Sequence, residues 1–383
     1  RSVVKLMDTL EITKKLITIP SLVDSSTNEG AIAQWLFDYL KQFAWLIVEK
    51  QNVQPGRFNV IARDKYPTRV LVCAHIATVQ ATNGWKTDPF KPSLIGEKLF
   101  GLGASDTKGN VAALLSAIKN AGPTKGLMLL LYVDEEYDFA GAKKFVAEYK
   151  GKLKPEVIGS ADGGDLEIGN ACRGLIEIVF TVLGQAGHSS NSANGKNAIS
   201  GSMISLQDLQ KWFLNFKSRE LGKCTFNLAW INGGQSKPGT PDLGREGNII
   251  PDTCQFGIEI RNANPEMSAK NVVTKLTSLL EEKGLTVKNA RIRHDLGAWI
   301  TNKKDLKTIR KVLGNPKFTP AKGRGYVDLQ MFWEAFGKPT CFTFGAGENG
   351  VAHKANEYIN INKLEKGEKY WTAFISEFCS VQW

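Results

Sequence analysis

The chain has 383 residues, 42% of them hydrophobic and 23% charged, a composition typical of a folded globular protein. Its formal net charge of +11 is spread along the chain, and it has no apolar stretch of about 18 residues, so neither a nucleic-acid-binding arm nor a membrane span is predicted. The length exceeds that at which single cores usually stop growing, which predicts two domains.

The six cysteines are scattered without a C-x-x-C pair, and most lie in apolar, strand-like runs. This distribution favours buried reduced thiols over disulfides. The first residues lack the apolar region and the cleavage site of a signal peptide. The sequence therefore predicts a cytoplasmic protein.

Hydrophobic periodicity in the first 173 residues predicts alternating helices and strands. Polar residues at 25–29 are typical of a helix N-cap region. The predicted helices cover 5–17, 29–43, 111–120 and 139–149, and the predicted strands cover 45–49, 58–62, 70–74, 127–133 and 157–161. This alternation predicts a mainly parallel sheet flanked by helices.

The pattern changes near Arg173 and Gly174. Strands are predicted at 175–183, 224–231, 254–261 and 285–293, with helices at 196–217 and 265–283. Pro265 is expected in the first turn of the second helix. The β-α-β-β-α-β order is that of a ferredoxin-like α+β domain.

After this segment the α/β pattern resumes, with helices predicted at 303–312, 326–335 and 361–378 and a strand at 340–344. We therefore predict an α/β domain formed by residues 1–173 and 294–383. An inserted ferredoxin-like α+β domain is predicted over 174–293.

Residues with metal-binding chemistry follow the predicted parallel strands. His75 ends one apolar run, Glu135 and Glu136 follow another, and Asp106 lies in the glycine-rich segment Gly101–Asn110. Because open α/β sheets bind ligands at the carboxyl ends of their strands, we expect these side chains to converge.

Five side chains at strand ends or in adjacent loops are candidate metal ligands: His75, Asp106, Glu136, Asp162 and His353. Imidazoles and carboxylates of this number suit a two-metal hydrolytic site in which one carboxylate bridges the metals. Glu135 points away from its neighbour Glu136 and is left to act as a general base. The alternative is structural, with the histidines in a core and the glutamates at a solvated strand end.

The order and composition of the sequence motifs also resemble those of a known family of zinc aminoacylases and metallopeptidases. This family includes acetylornithine deacetylase, succinyl-diaminopimelate desuccinylase and glutamate carboxypeptidase. The resemblance covers nearly the whole chain. It is carried, in order, by His75–Val79, Trp85, Asp88–Phe90, Gly101–Gly109, Asp134–Glu136, Gly187–Ser190, Gly233–Gly234, Asn248, Pro251, Arg261 and Ala352–Tyr358.

The resemblance implies two zinc ions per subunit, with Co²⁺ or Mn²⁺ as substitutes. Asp106 would bridge them. His75 and Asp162 would complete one site, and Glu136 and His353 the other. Glu135 would be the general base and then the general acid.

The resemblance also implies that the inserted domain serves as a lid and as the contact of a homodimer. His188 would polarise the substrate carbonyl, from the partner subunit, and Asn248 and Arg261 would bind the substrate carboxylate. The structural alternatives are a loop position for His188 and an ion pair of Arg261 with Glu259 or Asp252.

The implied function is hydrolysis of the amide bond of an N-acyl amino acid, as in amino-acid biosynthesis, with neither nucleic acid nor membrane as a partner. A dipeptidase or carboxypeptidase of the same family is the alternative. Where relatives carry His-x-Asp, this chain has His75-Ile76-Ala77. That Asp accepts the second imidazole N–H, so Ala77 predicts weakened metal binding at His75. It also leaves open a catalytically impaired homologue that acts as a binding protein.

Overall fold

A computed structural model describes residues 7–24, 27–322 and 325–380. The chain forms two compact units. The first unit runs to Asn170 and also contains Thr301–Thr319 and the chain from Val327 onward, while the second consists of Ala171–Ile300 and Pro320–Tyr326.

The described residues form helices and strands that we number in chain order. The helices are α1 (Thr9–Ile17), α2 (Gly30–Leu40), α3 (Gly109–Ala121), α4 (Ala140–Tyr149), α5 (Ala198–Phe213), α6 (Ala269–Glu281), α7 (Lys307–Val312), α8 (Leu329–Ala335) and α9 (Ile361–Phe378). The strands of the first unit are β1 (Ile47–Gln54), β2 (Arg57–Arg63), β3 (Val70–His75), β4 (Ser93–Ile95), β5 (Lys98–Phe100), β6 (Leu127–Tyr132), β7 (Val157–Ser160), β17 (Thr340–Thr343) and β18 (Tyr358–Asn360). Those of the second are β8 (Ala171–Cys172), β9 (Gly174–Leu183), β10 (Lys217–Ser218), β11 (Gly222–Lys223), β12 (Thr225–Ser236), β13 (Leu243–Gly244), β14 (Thr253–Asn262), β15 (Thr286–Leu296) and β16 (Trp299–Ile300).

The first unit is built on a six-stranded sheet with the order β1-β2-β6-β3-β7-β17. Strands β6, β3, β7 and β17 are parallel, and β2 joins β6 in an antiparallel pair. Every residue of β3, β6 and β7 is buried, which explains their continuous apolar sequences. The predicted α/β fold with a mainly parallel sheet is confirmed.

Helices cover both faces of this sheet. Val70 and Val72 of β3 belong to the core that includes residues of α1, α2, α3 and α9. On the opposite face, Phe332 of α8 packs edge-on against Tyr132 of β6 and Phe145 of α4, with ring centroids 5.7 Å apart in each pair. The carboxyl ends of the central strands are left for loops.

The second unit contains a five-stranded antiparallel sheet with the order β13-β12-β14-β9-β15. Along the chain its main elements follow as β9-α5-β12-β14-α6-β15. Alternate residues of β9, such as Ile176, Ile178 and Phe180, are buried in a core shared with α5 and α6. This alternation is that of a sheet covered by helices on one face.

The predicted start of α6 is wrong. Pro265 is not in α6, because Ser268 caps that helix by accepting the N–H of Asn271 in a capping box, so the helix begins only at Ala269. Helix α2 begins at Gly30, and its N-cap is Glu29, the last residue of the predicted N-cap region, although Glu29 makes no side-chain cap hydrogen bond. The predicted cap residues Ser25 and Ser26 lie outside the described residues.

In the part of the chain that the structure describes, no helix combines the length and the apolar character needed to cross a membrane.

Candidate metal centre

Three neighbouring parallel strands bring candidate ligands to one edge of the sheet. His75 is the last residue of β3 and is buried. Glu135 and Glu136 follow β6, and Asp162 follows β7. Since β6, β3 and β7 are adjacent, their carboxyl ends deliver these side chains to a common place.

Asp106 is presented by the tight turn Ala104–Lys108, which leads into α3. The buried carboxylate of Glu357 shapes this turn by accepting the N–H groups of Gly103, Ser105 and Asp106 at 2.9, 2.8 and 2.9 Å. Gly103 has a φ of 78°, a conformation that favours glycine. Burial, reinforced by the charge of Asp106, raises the pKa of Glu357 to about 7 although the N–H groups oppose the shift.

The two carboxylate oxygens of Asp106 face different histidines. Oδ1 lies 3.0 Å from Nε2 of His75, and Oδ2 lies 3.4 Å from Nε2 of His353. The same nitrogen of His353 is 3.1 Å from the carboxylate of Glu136. Asp106 is therefore placed as the shared member of two ligand groups.

The candidate ligand atoms of the described residues form three clusters. In each cluster, every ligand atom lies within 4.8 Å of the others. One cluster joins His75, Asp106 and Asp162, and a second joins Asp106, Glu136 and His353. The third joins His75, Glu135 and Glu136. Imidazole and carboxylate donors in this number fit divalent transition metals such as Zn²⁺, so the residues present fit a dinuclear centre.

The electrostatics of the cluster favour a bound cation. Burial opposes the charged form of Asp106, but hydrogen bonds with His353 and His75 outweigh it and hold the pKa of Asp106 well below its usual range. Hydrogen bonds with Asp106 and Glu136 raise the pKa of His353 to about 10. Burial raises the pKa of Glu135 well above its ordinary value.

Ala77 does not leave the imidazole of His75 without a second contact. Nδ1 of His75 lies 3.1 Å from the backbone carbonyl oxygen of Ala77, in the geometry of an N–H donating to that oxygen. A backbone carbonyl is one of the usual partners that fix the tautomer of a metal-binding histidine. The expectation that Ala77 deprives His75 of an orienting acceptor is therefore wrong, because the acceptor is the main chain of the same residue.

A buried ionic network precedes the two glutamates, and sequence reasoning missed it. The guanidinium of Arg57 donates to both carboxylate oxygens of Glu29, at 2.6 and 2.7 Å, and also contacts Asp134. Glu29 in turn accepts the backbone N–H of Asp134 at 2.9 Å, and Asp134 accepts the N–H of Ala140 at 3.0 Å. The network fixes the chain immediately before Glu135.

Asp328 is a second feature without a sequence signal. It is buried, and one of its oxygens accepts the hydroxyl of Tyr132 at 2.7 Å. Burial raises its pKa to about 7, and its charge contributes to the raised pKa of Glu135. Asp328 lies at the start of α8 and far in sequence from β6, and no periodicity or spacing in the sequence links the two.

The three remaining predicted residues lie in the second unit. The loops of His188 and Asn248 are paired, since the N–H of Ser189 donates to the carbonyl of Asn248 at 2.9 Å. Nδ1 of His188 lies 2.8 Å from the hydroxyl of Ser190.

Arg261 is not brought to these loops. It pairs with Leu175 near the start of β9, whereas His188 follows the end of that strand at Leu183. The eight-residue step from Leu175 to Leu183 along an extended strand corresponds to about 26 Å. The guanidinium of Arg261 instead pairs with Glu259, with Nε 2.9 Å from the carboxylate.

Comparisons with known proteins show the family to which this chain is similar. The family model described as Peptidase family M20/M25/M40 matches residues 71–377. The acetylornithine deacetylase of Buchnera aphidicola is 26% identical over 395 residues, covering 98% of this chain and 99% of that protein. That of Photorhabdus laumondii is 27% identical and covers 98% of each.

Solved structures show the same fold. An M20-family metallo-carboxypeptidase from Sulfolobus solfataricus superposes with a TM-score of 0.75 at 19% identity, covering 97% of this chain and 99% of that one. A dinuclear metal-binding M20 peptidase from Bacillus subtilis gives 0.69 at 16% identity, covering 97% and 98%.

Proposed function

Because this chain belongs to peptidase family M20/M25/M40, and is therefore a hydrolase of amide or peptide bonds, we propose that it removes the acyl group of an N-acyl amino acid. The single observation that carries the proposal is the bridging placement of Asp106 between His75 and His353. The acetylornithine deacetylase relatives, matched over nearly their whole length, support the deacylase branch.

We assign the ligands of two zinc ions as the sequence predicts. Asp106 would be shared by the two ions, His75 and Asp162 would hold one, and Glu136 and His353 would hold the other, an assignment supported by the two clusters that share Asp106. When bound, the ions supply Lewis acidity and make water a better nucleophile near neutral pH. The identity of the metal is part of the proposal, with Co²⁺ or Mn²⁺ as substitutes.

Glu135 moves the proton in this proposal. Its carboxylate oxygen clusters with donor atoms of His75 and Glu136, and burial raises its pKa, which makes the ionised carboxylate a stronger base. It takes a proton from the attacking water and delivers it to the nitrogen of the leaving amine. The network of Arg57, Glu29 and Asp134 fixes the chain before Glu135, so the carboxylate starts from a defined position.

We further propose that residues 174–293 form a ferredoxin-like lid and dimerisation domain inserted between the two parts of a catalytic domain, 1–173 and 294–383. The β-α-β-β-α-β order and the strand order β12-β14-β9-β15 support it. His188 acts from the partner subunit on the substrate carbonyl. Asn248 and Arg261 bind the substrate carboxylate. For Arg261 this requires release from Glu259.

The activity test is release of free amine from a panel of N-acetyl and N-succinyl amino acids and dipeptides, with zinc content measured on the same samples. Deacylation of at least one N-acyl amino acid in preference to all dipeptides is expected. If the protein preferred dipeptides, the dipeptidase alternative would be the correct assignment and the deacylase proposal would be wrong. Bound metal without turnover on the whole panel would favour a binding protein.

The shared-site proposal has a separate test. Inactive His188→Ala chains are mixed with inactive Glu135→Gln chains, and subunit exchange is confirmed. Activity should recover in the mixed dimer because one site then carries both intact residues. No recovery would contradict a site completed by the partner.

A further inference from the structure

A cavity lies at the opposite end of the sheet from the candidate metal centre. It has a volume of about 1060 Å³, and Arg69, directly before β3, and Met128, at the start of β6, line it. The candidate ligands follow the other ends of these strands. Six residues of β3 correspond to about 20 Å, so the two places are distinct.

The floor of this cavity is apolar and its walls are partly aromatic. Ile61 and Met128 are each 1% exposed and form the floor on one face of the sheet. Tyr66 and Tyr149 stand at the sides, both half-buried. A ligand body with a flat or apolar surface can rest here, as in most small-molecule sites.

The rim of the cavity is cationic. Six of the lining residues are Lys or Arg and two are Glu, but the ammonium of Lys50 contacts Gln34 and the ring of Phe37 instead, so the formal excess at the cavity is three positive charges. Two further lysines, Lys65 and Lys125, place their ammonium groups 5.4 and 5.5 Å from the ring centroid of Tyr66. Such a concentration of one sign attracts anions into the cavity.

The cations of the rim are only partly neutralised by protein carboxylates. Arg69 forms a two-bonded pair with Glu156, at 2.9 and 3.0 Å, and Arg63 lies 3.7 Å from Glu49. In contrast, Lys144, Lys152 and Lys154 form no ion pair with any described residue. Three ammonium groups are thus available above an apolar floor.

From this arrangement we propose that the cavity binds an organic polyanion, a molecule with a flat or apolar body and at least two phosphate or carboxylate groups. The body contacts Ile61 and Met128, and the anionic groups meet Lys144, Lys152 and Lys154. The cavity is large enough for a ligand of metabolite size. The site is separate from the metal centre, so the proposal does not depend on the proposed reaction.

The probe is naphthalene trisulfonate, which has a flat apolar body and three negative charges and whose sulfonates are poor metal ligands. Its binding to the metal-loaded protein is measured by titration calorimetry at low salt. One equivalent should bind, and affinity should fall as salt is added, because exposed charges are screened. Sodium sulfate, which carries charge without the body, should compete at least tenfold less well.

Variants locate the site. The double variant Lys144→Glu with Lys152→Glu should bind the probe at least tenfold more weakly. The matched control is Lys366→Glu with Lys369→Glu, two exposed lysines of α9 that make the same change in net charge and do not line the cavity. The control should stay within about threefold of the parent, because charges beyond a Debye length of about 10 Å are screened.

Asp106→Ala separates this site from the metal centre. It should bind the probe as the parent does, whether or not the variant turns over substrate. Loss of probe binding in Asp106→Ala would place the probe in the metal centre and overturn the proposal. If both double-lysine variants weakened probe binding equally, the binding would reflect net charge and not this cavity. If sulfate competed as strongly as the probe binds, the apolar floor would have no role in binding.

Discussion

Buried ionic contacts at one end of the first unit's sheet contrast with an exposed ion pair at the other. At the carboxyl end, His75 and the Arg57 network are buried, with His75 in contact with Asp106 and Arg57 with Glu29, whereas the side chain of His353 is 55% exposed. At the amino end, Arg69 and Glu156 are more than half exposed, at 55% and 61%. Two charges about 4 Å apart interact by about 1 kcal/mol in water, and the interaction strengthens as burial lowers the effective dielectric constant around them. Burial, more than residue type, therefore decides which charges fix geometry and which remain available to a ligand.

The largest expected effect is that of Glu135→Gln at the buried end. The amide keeps the shape but cannot take a proton, so turnover should fall by about 10²–10⁴-fold while metal content stays at the parent level. Amine release and elemental analysis on the same preparation measure both. Glu365→Gln, an exposed position on α9, is the matched control. Parent-level turnover in Glu135→Gln would remove its role as the base.

The next largest expected effect is a difference in stability between two arginine variants, one at each end of the sheet. Arg57→Ala leaves Glu29 and Asp134 buried without their cation and should lower the free energy of unfolding by about 3–5 kcal/mol. Arg69→Ala breaks an exposed pair and should cost at most about 1 kcal/mol. Urea denaturation of both variants beside the parent gives the difference.

Similar losses of stability in these two variants would contradict the contrast between the ends. Arg57→Lys provides a further check, because it keeps the charge but loses the two-bonded contact with Glu29. It should fall between the parent and Arg57→Ala.

The smallest expected effect is that of Ala77→Asp. Because the carbonyl of Ala77 already accepts from His75, a new carboxylate should gain less than the roughly 10–100-fold in zinc affinity that an absent partner would imply. The rate of zinc loss to a chelator, compared between parent and variant, is the measurement. A gain of tenfold or more would show that the carbonyl does not orient the imidazole.

These features differ in how far the sequence predicts them. The apolar runs of β3, β6 and β7 and the polar residues that follow them lead to the parallel sheet and to the convergence of His75 with Glu135 and Glu136, because strand ends meet at one edge. The final helix, predicted at 361–378, is observed as Ile361–Phe378. Periodicity and strand ends are local signals, and local signals were sufficient here.

The supporting contacts could not be predicted in the same way. Arg57 and Glu29 are 28 residues apart, and Tyr132 and Asp328 are 196 apart, so neither pair leaves a spacing pattern. The role of Glu357 depends on the shape of a turn some 250 residues earlier in the chain, as shown by its bond with the N–H of Asp106 at a separation of 251. The contact of His75 with Ala77 uses a main-chain oxygen, which every residue type carries.

The central claim is that Asp106 bridges two metal ions, and zinc stoichiometry tests it most directly. Parent protein and Asp106→Ala are loaded with zinc at neutral pH, freed of excess metal and analysed for zinc per chain, with Asp88→Ala as an exposed aspartate control. The account predicts two zinc ions per chain in the parent and in the control, and less than one in Asp106→Ala, because both ligand clusters lose their shared carboxylate. Two zinc ions per chain in Asp106→Ala would contradict it.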